Sequence, residues 1–258
     1  MTDRSPFRLD GMSVLISGAG GGIGRALVDA FRAAGAVVAG ADRTREAVAD
    51  VYLAHELVAD LADSRATDAA VRKFLADVGT PDIVVSNAGY TRAETLESLD
   101  VATWESELAI NLNGAYALTG PIVEAMAARG SGSLVFISSV NGLIHFGNPA
   151  YSAAKAGLIA YAKAIAVERG SRGVRANVIC PGSVRTPAWD HRLATDHEIM
   201  GKLLPLYPLG RLVTPAEVAN TAVFLSSPAA GGITGATIAV DAGLTAGNLR
   251  FVNDVLRG

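Results

Sequence analysis

The stretch Ser17-Gly18-Ala19-Gly20-Gly21-Gly22-Ile23-Gly24 constrains this chain more than any other. It follows directly on the apolar run Met12–Ser17 and opens the helical pattern Ile23–Ala34. A strand that turns through glycines into a helix leaves main-chain N–H groups free at the helix start, where the peptide dipoles add partial positive charge. Without Cβ atoms in the way, an anionic group can approach the backbone closely. The turn therefore predicts a cradle for a pyrophosphate, and a strand–turn–helix opening of this kind points to an α/β plan.

The rest of the chain continues that alternation. Strands are expected at Met12–Ser17, Ala36–Ala41, His55–Ala59, Ile83–Ser86, Ser133–Ser138, Arg175–Cys180 and Thr237–Val240. The first, second, fourth and fifth are continuous apolar runs, the pattern of strands covered on both faces. Helical patterns lie between them, at Ile23–Ala34, Arg65–Val78, Val101–Arg129, Tyr151–Arg169 and Pro215–Ser226. Thr214-Pro215 marks one start clearly, a hydroxyl cap followed by proline at the first helical position. Strand–helix–strand alternation predicts a parallel, doubly wound sheet of about seven strands with helices on both faces. No repeat or linker interrupts the 258 residues, and half of them are hydrophobic, so one domain spanning 1–258 is expected. Gly182–Val213 fits least well, with three prolines and Trp189, His191, His197 and Tyr207. An irregular stretch of that length predicts a functional loop, a substrate lid at about 183–213.

Charge and cysteine usage remove several functions. A net charge of −3 leaves no basic surface for phosphate backbones, so nucleic acid is not an expected partner. Cys180 stands alone and cannot form an internal disulfide, and no Cys/His cluster has metal-ligand spacing. No apolar run reaches membrane-spanning length, and the polar start holds no secretory core; a cytosolic setting is expected.

Two further features carry chemistry. Asp42 closes the second strand, 18 positions beyond Gly24, where a carboxylate can accept hydrogen bonds from both ribose hydroxyls of an adenosine and repel a 2′-phosphate. NAD is therefore expected over NADP, although Arg43 next to it could accommodate a phosphate. In Tyr151-Ser152-Ala153-Ala154-Lys155, positions four apart share one helix face. An ammonium about 4 Å from the phenol would stabilise the phenolate by roughly 4 kcal/mol at an effective dielectric near 20. The expectation is a tyrosine whose pKa Lys155 lowers toward working pH.

In order, the glycine turn, Asp42, Asp60, Ser86-Asn87-Ala88-Gly89, Asn111, Ser138-Ser139, Tyr151 with Lys155, and Pro181-Gly182-Ser183-Val184-Arg185-Thr186 resemble the short-chain dehydrogenase/reductase family, of the compact kind. The resemblance runs from about Asp10 to Gly247. It implies a Rossmann-like fold, a nicotinamide cofactor, a small alcohol or ketone substrate and a homo-oligomer, commonly a tetramer. By this resemblance Gly18, Gly22, Ile23 and Gly24 sit at the pyrophosphate, and Asp60 and Leu61 beside the adenine. Asn87 and Gly89 lie in the turn after the fourth strand, and Val184 and Thr186 at the nicotinamide carboxamide. It makes Tyr151 the general acid/base and Ser139 the group that hydrogen-bonds the reacting oxygen. Lys155 becomes the ribose contact, and Asn111 part of a water relay.

The chain departs from the family pattern in places. Ser17 stands for threonine, and Ser86 for the first asparagine of Asn-Asn-Ala-Gly. Eleven residues separate Ser139 from Tyr151, one fewer than is common, which keeps Ser138 as a second candidate serine. Val240-Asp241-Ala242-Gly243 replaces Val-Asp-Gly-Gly, a change expected to matter only for local packing. Candidate substrate contacts are Tyr90, Asn141, His145 and Trp189, with Phe146 and Tyr207 nearby. A non-catalytic NAD-binding scaffold, or a lyase or isomerase using Tyr151 without net redox change, are the other classes this pattern permits.

Overall fold

The computed structural model describes residues 5–92, 95–186 and 198–257. Seven parallel strands form one sheet: β1 Ser13–Ser17, β2 Val37–Asp42, β3 His55–Val58, β4 Ile83–Ser86, β5 Gly132–Ile137, β6 Val174–Pro181 and β7 Thr237–Val240. Their order is β3-β2-β1-β4-β5-β6-β7, all in parallel register. The winding reverses between β1 and β4, the crevice in which open α/β sheets bind ligands. Expected and observed strands differ by one residue at most ends.

Alternation along β1 shows why both faces needed cover. Val14 and Ile16 point into one core, with Leu27, Val28 and Phe31 of α1 (Gly22–Ala33) and Val218, Ala222 and Leu225 of a helix over Pro215–Ser226. Leu15 points into the other, with Val71 and Phe74 of α2 (Ser64–Asp77), Leu118 and Ile122 of α4 (Gly114–Arg129), and Leu158 and Ile165 of α5 (Pro149–Arg169). The period-2 strand thus feeds two apolar layers, each closed by helices with a buried stripe.

Four details were not expected. The long helix over 101–129 is broken: α3 covers Val101–Leu108, and a π-turn at Ala109–Asn113 precedes α4. The stretch expected to be an irregular lid contains a short helix, Ile199–Leu203, and a 3-10 turn, Leu204–Leu206, and Val184 pairs with Val213. Helix α5 begins two residues earlier than expected, at Pro149, because a left-handed Asn148 (φ 52°, ψ 67°) ends the preceding loop. Ala242 has φ 53°, so replacing glycine there affects the backbone and not packing alone. A residue with a Cβ in that region is strained by roughly 1–2 kcal/mol. Among the described residues, no helix is long and apolar enough to cross a membrane, and no group of His, Cys, Asp or Glu is placed to hold a metal ion.

Candidate active site

Every motif that carried the sequence argument ends at the carboxyl edge of the sheet, because parallel strands deliver their following loops to the same side. Gly18 has φ 65°, and a Cβ there would press within 3.0 Å of the Ala88 Cα; a Cβ on Gly24 would collide with the Gly18 carbonyl. The start of α1 has no side-chain cap. Ser17 and Asn87 bind the first turn to the fourth: the Ser17 hydroxyl accepts from the Asn87 and Ala88 N–H groups at 3.0 and 3.1 Å, and the Asn87 amide donates to the Ser17 carbonyl at 2.9 Å. Asp42 belongs to the same assembly, because its carboxylate accepts from the Gly20 N–H at 3.1 Å and the Arg43 N–H at 2.8 Å. Asp60 accepts from the Ala62 N–H with one carboxylate oxygen, whereas the Leu61 side chain is buried in the core, leaving only its main chain to a ligand.

Beyond the ends of β4, β5 and β6 lies a cleft of about 780 Å³. Ile23, Asn87, Gly89, Tyr90, Ser139, Asn141, Tyr151, Lys155, Val184 and Thr186 all line it, ten of the residues expected there. A smaller hollow of about 430 Å³, between Tyr116, Glu124, Tyr161 and Arg169, lies on the outer α4–α5 face and holds none of them.

The two serines after β5 separate cleanly. The Ser138 hydroxyl is buried and donates to the Lys155 carbonyl at 2.8 Å, clamping β5 to α5. The Ser139 hydroxyl donates to the Asn141 side-chain oxygen at 3.4 Å and accepts from the Asn141 N–H at 3.1 Å, and it stands close enough to the Tyr151 phenol to favour its ionised form. Both serines line the cleft, and the Ser138 hydroxyl is the one whose proton is committed to a main-chain carbonyl of α5. The Lys155 ammonium donates to the Ile137 carbonyl at 3.1 Å and lies 5.3 Å from the centre of the Tyr151 ring.

The expected lowering of the tyrosine by Lys155 is overturned. Burial pushes the Tyr151 phenol up to about 12, against the hydrogen bond from Ser139, and the nearby Glu107 and Cys180 push it further. Burial likewise drives Lys155 down to about 8. Desolvation opposes both charged forms.

Asn111 sits fully buried on the π-turn behind this pair. Its amide donates to the Tyr90 carbonyl at 2.7 Å and the Glu107 carbonyl at 2.9 Å, and its oxygen accepts from the Tyr90 N–H at 3.1 Å. The buried Glu107 side chain completes the clamp by accepting from the Arg92 N–H at 2.8 Å. Gly89 leaves room here, since its missing Cβ would lie 2.8 Å from the Asn111 oxygen and 3.0 Å from the Lys155 ammonium.

The expected substrate contacts divide. Tyr90 lines the cleft. Asn141 does too, but its amide already donates to the Gly147 carbonyl and the Ser152 hydroxyl, at 2.9 and 3.2 Å. His145 is exposed and forms no part of the wall, which Phe146 and Asn148 supply instead, so the imidazole stays in water. Trp189 lies outside the described residues, as do His191 and His197. Sequence reasoning missed Thr91, Ser183, Asn148 and Leu244, all on the wall. Ser183 lies inside the Pro181–Thr186 motif without being singled out by it; the other three carry no motif, and only the fold brings them together.

Comparison with known proteins gives the family of the chain. A family model described as enoyl-(acyl carrier protein) reductase matches residues 18–245. The galactitol 2-dehydrogenase (L-tagatose-forming) of Cereibacter sphaeroides is 36% identical over 95% of this chain and 99% of its own. Among solved structures, a short-chain dehydrogenase/reductase family oxidoreductase of Burkholderia thailandensis superposes with a TM-score of 0.89 at 43% identity, covering 96% of this chain and 98% of that one. A gluconate 5-dehydrogenase of Burkholderia cenocepacia, solved with NADP and tartrate, superposes with a TM-score of 0.88 at 31% identity over 94% and 98%. The chain belongs to the short-chain dehydrogenase/reductase family, oxidoreductases that act on alcohol and keto groups.

Proposed function

We propose that this protein is an NAD-dependent oxidoreductase interconverting a small, hydroxylated secondary alcohol and its ketone. The observation that carries the reading is the Tyr151 phenol beside Ser139, with the Lys155 ammonium 5.3 Å from the centre of its ring, in the cleft beyond the carboxyl ends of β4, β5 and β6. The residues fit a dinucleotide: α1 opens uncapped, and the glycine turn before it is packed so closely, Gly18 on Ala88 and Gly24 on the Gly18 carbonyl, that only glycine's bare backbone fits at the helix start. In this reading Gly18, Gly22, Ile23 and Gly24 hold the pyrophosphate, Asp42 the adenosine ribose, and Asp60 with the Leu61 main chain the adenine. Val184 and Thr186 hold the carboxamide, and Asn87 and Gly89 shape the floor between.

A bound nicotinamide supplies the hydride donor or acceptor. The protein supplies the proton and the oxygen site. Tyr151, protonated up to about 12, is set as an acid and gives its proton to the substrate oxygen in reduction. Ser139 donates a hydrogen bond to that same oxygen, stabilising its developing negative charge. Lys155 contacts the nicotinamide ribose. The Asn111 amide is fully engaged with protein, so its part is to hold the π-turn, whose widened ladder offers main-chain carbonyls to a water.

Asp42 favours NAD, since its carboxylate would repel a 2′-phosphate; Arg43 beside it, and the NADP held by the gluconate 5-dehydrogenase, make cofactor choice the point to measure. The polar wall of Tyr90, Thr91, Ser183 and Thr186, together with the likeness to a galactitol dehydrogenase, supports a polyol or sugar-derived substrate. A panel of polyols, simple secondary alcohols and the matching ketones, run with NAD and NADP in parallel and followed at the nicotinamide absorbance, tests this. Stoichiometric absorbance change is expected. Substrate conversion without it would establish a non-redox reaction, and tight NADH binding with no conversion would leave a scaffold.

A further inference from the structure

The two asparagines that face the cleft from the loop before α5 are in opposite states. Asn141 has its amide engaged with the Gly147 carbonyl and the Ser152 hydroxyl. Asn148 also lines the cleft, yet it caps no N–H of α5, and its amide makes no hydrogen bond among the described residues. Its main chain, in contrast, is held firmly. The Asn148 carbonyl accepts from the Ser152 N–H at 2.8 Å, and Gly147 and Asn148 are both left-handed, at φ 89° and 52°. Asparagine is one of the few residues with a Cβ that adopts this conformation readily. An amide normally used to cap a helix start is thus fixed in the cleft wall, three residues before Tyr151, with two donors and an acceptor uncommitted.

We propose that Asn148 is a specificity-determining residue that recognises a second hydroxyl on the substrate, on a carbon next to the one that reacts. The inference rests on the dehydrogenase reading above and adds which part of the substrate is recognised. Asn148 lines the same cleft as Tyr151 and Ser139, so a substrate oriented by those two presents its neighbouring carbon within the same cavity. A mono-alcohol leaves the amide desolvated and unpaired; a vicinal diol satisfies it. Sites of this kind discriminate strongly against the analogue that lacks the hydroxyl.

The test compares butane-2,3-diol with butan-2-ol, which differ by that one hydroxyl, in wild type and in Asn148→Gly. Glycine keeps the left-handed backbone while removing the amide. Wild type is expected to prefer the diol in kcat/KM, and Asn148→Gly to lose about 10- to 100-fold on the diol through KM while butan-2-ol does not fall and gains where the unpaired amide had penalised it. Asn148→Asp, which retains an acceptor, should recover part of the loss. Equal losses on both alcohols would mean a structural role and overturn the proposal, as would no loss on either. A wild type that oxidises butan-2-ol as well as the diol overturns this inference and leaves the dehydrogenase reading intact. A wild type inert to every alcohol and ketone overturns both.

Discussion

The cleft has two halves built on different principles. The half beyond β1 and β2 is made of main chain: glycines without side chains, an uncapped helix start, and a carboxylate whose oxygens are bound by the turn itself. The half beyond β5 and β6 is made of side chains from distant segments, and its chemistry depends on which of them the fold has already engaged. Ser138, Ser139, Asn141 and Asn148 all line the cavity, but among the described residues the first three hydrogen-bond protein groups whereas the Asn148 amide does not. A backbone cradle tolerates almost no substitution but has little chemistry of its own. A side-chain wall can be retuned residue by residue, at the risk of leaving polar groups unpaired.

The sharpest way to break this division is Tyr151→Phe. It should reduce turnover by about 10²- to 10⁴-fold, the range of general acid–base catalysis, while NADH binding, measured by fluorescence titration, changes little. Weak NADH binding in that variant would show that the two halves are not separable.

Lys155→Met tests the cost of burying the second half's cation. The folded pKa, about 8, lies below the ordinary 10.5, so between those values the unfolded chain binds more protons and stability rises with pH. The penalty is therefore complete below about pH 8 and gone by about 10.5. Removing the ammonium should stabilise the cofactor-free protein by at most about 3 kcal/mol at neutral pH, with the gain shrinking in alkali. Thermal melts of both proteins across that range check the sign; a gain that grows with pH would refute it.

Asp42→Ala addresses the backbone half. The ratio of kcat/KM with NAD to that with NADP should fall about 10- to 100-fold, the worth of hydrogen bonds to a charged group. An unchanged ratio would take Asp42 out of cofactor choice. The smallest effect expected is at Ala242, beneath the substrate wall, where glycine should relieve a left-handed backbone and raise stability by about 1 kcal/mol in urea titration. A loss there would mean that the strained alanine is held by contacts worth more than the strain.

Much of the backbone half was legible beforehand. The order of motifs named the turn after each strand, and strand ends fell within a residue or two, since continuous apolar runs leave little freedom in an element covered on both faces. Roles on the other side were harder to read. His145 looked suited to a polar contact and faces water, and Lys155 was expected to acidify a phenol that burial instead holds protonated. The π-turn that carries Asn111 left little trace in helix periodicity: one extra residue rotates the apolar stripe by about 100°, but α4 is buried on most of its circumference and shows no narrow stripe to rotate.

Local chemistry along the chain, by itself, determined the strand–helix alternation, the position of the glycine turn and the spacing that puts Tyr151 and Lys155 on one face of a helix. Each is set within a few residues by backbone geometry and side-chain period. Only the tertiary structure decided which polar groups remain available and which carry charge. Hydrogen-bond partners and desolvation are set by how the β5 loop and α5 fold onto each other and onto the core: Ser138 by the Lys155 carbonyl, Asn141 by Gly147 and Ser152, and Lys155 by the core around it. A sequence names donors and acceptors, but their satisfaction is a property of the packed chain.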